Sequence, residues 1–201
     1  MPLKIIFMGT PKFSIPALNL LIKNHYNVVC VYSQSPKKAR RGQKIIISPL
    51  HEFAENNNLT VRTPKKLNSN NEYDFLKNLG ADLGIVVAYG KLIPKKFLNV
   101  TKLGFINIHA SLLPKWRGAA PIQRAIMNRD QMTGVSIMKI VEKLDSGPIM
   151  SFKELRIDSE KTLGEIEQIL SEMGANLLIG SINKIKNNEA EFREQKDLDA
   201  T

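Results

Sequence analysis

Short apolar runs of strand length alternate with amphipathic segments along most of this chain. LKIIFMG (3–9) reads as a buried strand, and SIPALNLLIK (14–23) repeats its apolar residues at helical spacing. NVVCVYS (27–33) predicts a second strand. ISPLHEFAENN (47–57) predicts a second helix, with Ser48 as N-cap and Pro49 at its first position. LTVR (59–62) predicts a short strand, EYDFLKNLG (72–80) a helix closed by Gly80, and ADLGIVVAY (81–89) a further strand. KLGFINIHA (102–110) reads as a strand and GAAPIQRAIMN (118–128) as a helix. This alternation predicts an α/β fold with a doubly wound, mostly parallel, Rossmann-like sheet. TGVSIMKIVE (133–142) and GPIMSFKELRI (147–157) follow with no helix between them. They predict a hairpin that turns at KLDSG and adds an antiparallel edge. TLGEIEQILSEMGANLLIGSINKIKNN (162–188) predicts one long amphipathic helix, and residues 189–201 a polar tail.

Composition narrows the class. With 201 residues, 43% hydrophobic and 24% charged, the chain is of ordinary globular make-up. Cys30 is the one cysteine, which excludes an intrachain disulfide and a cysteine-based metal set. It lies in the run VVCVY and reads as a small core residue. The N-terminal MPLKIIFMGT has no long apolar signal region, and no stretch of about 20 apolar residues occurs anywhere. The expectation is a soluble cytoplasmic protein without a membrane partner. His25 and His51 read as surface residues. The net charge of +10 is uneven: +9 in residues 1–66, +5 in 67–150 and −4 in 151–201. A basic front half points to an anionic partner.

In an open parallel sheet, ligands sit beyond the carboxyl ends of the strands. That expectation gathers Gly9-Thr10, Ser33, Ala88-Tyr89-Gly90 and Asn107–Pro114 on one rim. MGTPKF is not a GxGxxG turn and no Walker A sequence occurs, so neither phosphate cradle is expected. Along FINIHA the side chains alternate, so Asn107 and His109 face one way while Ile106, Ile108 and Ala110 face the other. Asp145 lies in the hairpin turn LDSGP, whose preceding strand can run back beside this rim. An imidazole can take a proton from an amine, a carboxylate can fix its tautomer and stabilise the imidazolium, and an amide can donate to a developing oxyanion. Each residue alone also suits a turn or a structural role. Together they make an acyl-transfer site without a protein nucleophile, since neither Ser111 nor Cys30 stands in a GxSxG elbow.

NIHASLLPKWRGAAPIQ, followed about ten residues later by TGVSIMKIVEKLDSGPI, resembles the 10-formyltetrahydrofolate-dependent formyltransferase family. The likeness runs from IIFMGTPKFS through VVAYGKLIP to the DSG turn, over nearly all of the first 160 residues, and WRGAAPIQ narrows it to the members that act on tRNA. The resemblance implies that Asn107, His109 and Asp145 are catalytic. It also implies that Ser111, Leu112, Leu113 and Pro114, with Ala88, Tyr89 and Gly90, bind the folate. The implied reaction moves the formyl group of 10-formyltetrahydrofolate to the α-amino group of methionyl-initiator tRNA through a tetrahedral intermediate. No metal, nucleotide or DNA is called for, and a monomer is expected. Residues 1–188 would form the catalytic domain, and 189–201 a tail leading to a C-terminal β-barrel domain that this sequence does not include.

SQSPKKARRGQKIII (33–47) packs Lys37, Lys38, Arg40, Arg41 and Lys44 into eight positions. Such a run is commonly a solvated loop; here it resembles the family's insertion that reaches the acceptor arm of the tRNA, with Gly42 as a hinge. Phosphates would attract it, and five like charges predict disorder without that partner. Four other readings stand beside this one. Glycinamide ribonucleotide formyltransferases carry NxH and SLLP, but with a glycine-rich turn after the first strand where this chain has GTPKF. Amino-sugar-nucleotide formyltransferases share SLLP. A formyltetrahydrofolate hydrolase would use water as acceptor, and a folate- or tRNA-binding module would not turn over at all.

Overall fold

A computed structural model describes residues 3–39 and 44–201. The chain divides into two compact units, Met1–Phe105 and Ile106–Thr201.

The first unit is parallel α/β. Strands β1 (Lys4–Gly9), β2 (Asn27–Tyr32), β5 (Val61–Arg62) and β6 (Leu83–Val87) run parallel, β1 lying between β2 and β6, and β5 beyond β2. Ile5, Ile6, Phe7, Met8 and Ile85 are fully buried. That is why these strands read as unbroken apolar runs rather than alternating ones. Helix α1 (Ile15–Lys23) follows β1, and α2 (Pro49–Asn56) starts where Ser48 accepts a hydrogen bond from the His51 amide, as its sequence predicts. Helix α3 (Asn70–Asn78) begins two residues earlier than expected, because Ser69 caps it by accepting from the Glu72 amide. A one-turn helix, α4 (Lys95–Leu98), was not predicted; Pro94 precedes it, and four residues are too few for a helical period to show. Cys30 is fully buried, and burial pushes its thiol pKa up to about 12, so it stays protonated and inert.

Two expectations for this unit change. Lys37–Ala39 (β3) and Lys44–Ile46 (β4) form an antiparallel ribbon where a loop was expected, with Lys37 opposite Ile46 and Lys38 opposite Ile45. Backbone pairing across the ribbon joins β-branched Ile45 and Ile46 to the lysine strand, and both isoleucines stay exposed. Arg40, Arg41 and Gly42 lie outside the described residues. His51 is not a free surface residue either. Its side chain is only 12% exposed, with Nε2 3.0 Å from Glu55 one helical turn on.

Glu72 is buried and joins three elements. It accepts from the Tyr32 hydroxyl at 2.6 Å and from Arg62 Nε and Nη2 at 2.8 and 2.7 Å. The Arg62 guanidinium lies 4.0 Å from the Phe75 ring centre. Arg62 first, then Tyr32, hold the Glu72 carboxyl below its ordinary value of 4.5 against the opposing effect of burial. A depressed folded-state pKa adds stability above pH 4.5, lost as pH falls through the lower value. Unfolding followed across pH 6 to 3 is therefore expected to show an acid-side loss of stability that is shallower in Glu72→Gln. An unchanged acid limb in that variant would contradict this.

The second unit carries the antiparallel part. Strand β7 (Phe105–His109) pairs with β8 (Met132–Lys139), and β8 with β9 (Ile149–Arg156). Helix α5 (Pro121–Met127) lies between β7 and β8 in sequence; it starts at Pro121 rather than Gly118, after Ala120 in the left-handed region at φ 57°. Helix α6 (Leu163–Lys186) opens on a capping box between Thr162 and Glu165 and packs on β8 and β9. Residues 189–201 are not a free polar tail. Arg193 exchanges two backbone hydrogen bonds with Ile149, each 2.8 Å, and Arg117 and Trp116 donate from their amides to Thr201.

Candidate active site

The antiparallel register brings the chemistry together. His109 stands opposite Ser136, and Asn107 opposite Met138. From Lys139 the chain turns through 140–148 and returns as β9, which places Asp145 at the open end of β7. His109 Nδ1 lies 3.6 Å from Asp145 Oδ2, with the two side chains 6% and 14% exposed. Asp145 Oδ2 also accepts from the Gly118 amide at 2.9 Å. His109 Nε2 is 2.8 Å from the Trp116 carbonyl. A carbonyl can only accept, so Nε2 carries the hydrogen and Nδ1 is the ring atom left open toward Asp145. The tautomer is thus held by Trp116, where the sequence reading assigned that duty to the carboxylate. Asp145 faces the nitrogen that would gain a proton. Among the described residues the Asn107 side chain has no hydrogen-bond partner, leaving its amide free to donate.

The turn after β7 is locked from inside. The Ser111 hydroxyl, fully buried, donates to the Lys115 carbonyl. Ser136, one strand away and also fully buried, donates to the Ser111 carbonyl at 2.7 Å and accepts from the Leu113 amide at 3.1 Å. Ser111 therefore shapes the turn rather than facing outward, and Leu112 and Pro114 are its half-buried edge. Beneath it sits Gly134, where a Cβ would come within 2.2 Å of the Lys153 carbonyl and 2.5 Å of Leu112. The Leu113–Pro114 peptide is cis.

In the first unit, Ala88 and Gly90 both take left-handed backbone, at φ 48° and 73°. Thr10 and Gln34 donate to the Tyr89 carbonyl at 2.9 and 3.3 Å. The φ of 73° at Gly90 favours glycine there, and a Cβ would displace the end of the Gln34 side chain. The Tyr89 ring is 1% exposed and its hydroxyl has no partner among the described residues, so what this turn can offer a ligand is backbone.

Ser136 and Gln195 belong to the site and escaped the sequence reading. Ser136 left a trace, being the one polar residue within the buried run VSIM. Gln195 left none. Its amide donates to the carbonyls of Asp145 and Gly147 at 3.0 and 2.7 Å. Beside the site, Trp116, Ala120, Gln123, Arg124, Met127 and Asn128 line an open groove of about 470 Å³. Among the described residues no group of His, Cys, Asp and Glu is arranged to hold a metal ion, and no helix is long and apolar enough to cross a membrane.

An α/β chain that ends one strand in an amide and an imidazole, with a carboxylate 3.6 Å from the ring, has the parts of an acyl transferase that works without its own nucleophile. The chain belongs to the formyl transferase family, whose profile matches residues 3–182. It is 51% identical over 199 residues to a methionyl-tRNA formyltransferase of Pelagibacter ubique, and 44% identical over 201 residues to one of Coxiella burnetii. These alignments cover 98% and 100% of this chain, which spans 64% of the length of each relative. Among solved structures, glycinamide ribonucleotide transformylase 1 from Symbiobacterium toebii aligns at a TM-score of 0.77 and 16% identity, covering 97% of this chain and 95% of that one. A 4-N formyltransferase from Francisella tularensis aligns at 0.75 and 20%, covering 97% and 74%. At such identities these structures speak for the shared α/β fold.

Proposed function

We propose that this protein transfers a formyl group from 10-formyltetrahydrofolate to the α-amino group of methionyl-initiator tRNA. The observation that carries the reading is the 51% and 44% identity to methionyl-tRNA formyltransferases across nearly the whole chain. The His109–Asp145 pair supplies chemistry that fits it.

In the reaction the amine nitrogen bonds to the formyl carbon, and the carbonyl oxygen gains charge in a tetrahedral intermediate. The bond from that carbon to N10 then breaks. One proton leaves the amine and one reaches N10. His109 Nδ1, the open ring atom, takes the amine proton, and Asp145 stabilises the resulting imidazolium at 3.6 Å. Asn107 donates its free amide to the oxyanion; a donor so placed contributes about 10²–10³ in rate. The backbone of the Ser111–Pro114 turn, held by Ser136, would receive the folate. No step calls for a metal or a nucleotide.

The acceptor is anionic, and the Lys37–Ile46 segment suits it. Lys37, Lys38 and Lys44 lie on the ribbon, and Arg40 and Arg41 between its strands in sequence. Lys37 also helps depress the Lys91 pKa, after burial, the mark of a locally positive surface. The groove along Trp116 offers an aromatic wall with Arg124 beside it, a combination that favours unpaired nucleotides. The protein would act as a cytoplasmic monomer.

Acceptor choice tests the reading. The 201-residue chain is incubated with 10-formyltetrahydrofolate and, in separate tubes, initiator Met-tRNA, elongator Met-tRNA, glycinamide ribonucleotide, a 4-amino-sugar nucleotide, or no acceptor. Formyl-methionine from the Met-tRNA tubes is expected, in excess with the initiator. Formylation of a small amine in preference to Met-tRNA would overturn the assignment.

A further inference from the structure

Two stretches of backbone hold the His109–Asp145 pair, and both are themselves tied to one segment at 193–201. The first stretch is Trp116–Gly118: the Trp116 carbonyl anchors His109, and the Gly118 amide anchors Asp145. The second is 143–147, which carries Asp145. Trp116 and Asp145 both sit in the left-handed region, at φ 58° and 46°, which a residue with a side chain keeps only where its surroundings impose it.

Gln195 joins the two stretches. Its Nε2 donates to the Asp145 and Gly147 carbonyls at 3.0 and 2.7 Å, while its Oε1 accepts from Arg117 Nε at 2.9 Å. Around it, Asp197 accepts from Arg117 Nη1 and from Lys143 Nζ, each at 2.7 Å. The Thr201 hydroxyl and carbonyl accept from the Trp116 and Arg117 amides at 2.8 and 3.1 Å. The Arg193 bridge to Ile149 fixes where this segment enters. Hydrogen bonds from a glutamine to two carbonyls flanking a strained turn leave that turn little freedom to relax.

We infer that Gln195 is a positioning residue for formyl transfer: through its bonds to the Asp145 turn and to Arg117, it sets the Asp145 carboxylate against His109. It touches neither reacting atom, and its effect runs through Asp145. The assignment rests on the acyl-transfer reading of the His109–Asp145 pair, not on which amine is the acceptor.

The test is a double-mutant cycle on the full chain, with Gln195→Ala, Asp145→Asn and the pair combined. Gln195→Ala is expected to lower kcat about ten- to a hundredfold, the order of loss that misplacing a reacting group brings, with the KM for 10-formyltetrahydrofolate within about twofold of wild type. In the Asp145→Asn background the same change should lower kcat by less than about twofold, because residues that act through one another are not additive. Gln195→Glu keeps the acceptor for Arg117 but cannot donate to the two carbonyls, and should lose as much as Gln195→Ala. Equal losses in both backgrounds, or full activity in Gln195→Glu, would overturn the inference.

A second readout needs no turnover. In ¹⁵N spectra of the histidine rings, Gln195→Ala should move the His109 signals in the wild-type background and leave them in place in Asp145→Asn. Unmoved signals in the wild-type background would overturn the positioning role. A wild-type chain that formylates another amine but not Met-tRNA would contradict the proposed function alone, and the cycle and the spectra would still decide this assignment.

Discussion

His109→Ala is expected to lower kcat/KM for formyl transfer by about 10²–10⁴, the range that a positioned acid–base group contributes. The expectation follows from the ring's two contacts. Nε2 is committed to the Trp116 carbonyl at 2.8 Å, so proton traffic falls to Nδ1, and no other titratable nitrogen on β7 can substitute. The Ser111–Pro114 turn should be untouched, because its internal bonds run through Ser111, Leu113, Lys115 and Ser136 and none through His109. Folate binding measured by fluorescence or calorimetry should therefore stay within about twofold of wild type, the mark of an interaction made only in the transition state. Activity within tenfold of wild type would remove His109 from the chemistry. Folate binding lost in step with activity would turn it into a structural residue.

Gly134→Ala is expected to damage the Ser111–Pro114 turn from beneath. The new methyl group would sit 2.2 Å from the Lys153 carbonyl on β9 and 2.5 Å from Leu112. One obstacle is backbone in a strand pair and the other is the side chain forming the edge of the turn, so neither yields without cost. Overpacking of this kind costs about 1–3 kcal/mol, which in a chain of this size lowers Tm by roughly 2–12 °C. Displacing Leu112 should also raise the KM for 10-formyltetrahydrofolate. The pair of effects discriminates: a lower Tm with an unchanged KM would detach Leu112 from the donor site, and an unchanged Tm would mean that the strands accommodate the methyl group freely.

What was legible in the sequence, and what was not, follows the range of the interaction concerned. The placement of Asn107 and His109 on one side of β7 rests on period-two alternation, a local rule, and FINIH obeys it. The Ser48 cap, the Pro49 start and the long α6 helix are local in the same way. Asp145 was readable as a turn residue, but its 3.6 Å approach to His109 depends on the register that sets His109 opposite Ser136, which nonlocal pairing decides. Gln195 was hidden for a further reason. Its partners are the backbone carbonyls of Asp145 and Gly147, groups every residue possesses, so no pattern of side chains announces the contact.

The same limit explains the basic segment. Counting charges over Lys37–Lys44 emphasised repulsion and missed the two three-residue strands, whose pairing depends on partners across the ribbon. In the 189–201 segment, polarity suggested solvent, whereas Asp197 is held by Lys143 first and by Arg117, which together lower its pKa to about 2. Polar residues at an exposed site can be structural when their partners are fixed donors. Arg117 shows the converse: its side chain is only 12% exposed, and its two described partners, Gln195 and Asp197, both come from that segment.

The central claim is that an amine, rather than water, receives the formyl group at His109 and Asp145. The stoichiometry of a turnover with initiator Met-tRNA tests it most directly, by counting formyl-methionine formed against tetrahydrofolate released. One formyl-methionine for each tetrahydrofolate, with release arrested when the tRNA is omitted, is the predicted result. Tetrahydrofolate released at the same rate with and without tRNA, accompanied by free formate, would contradict the account and make the chain a hydrolase.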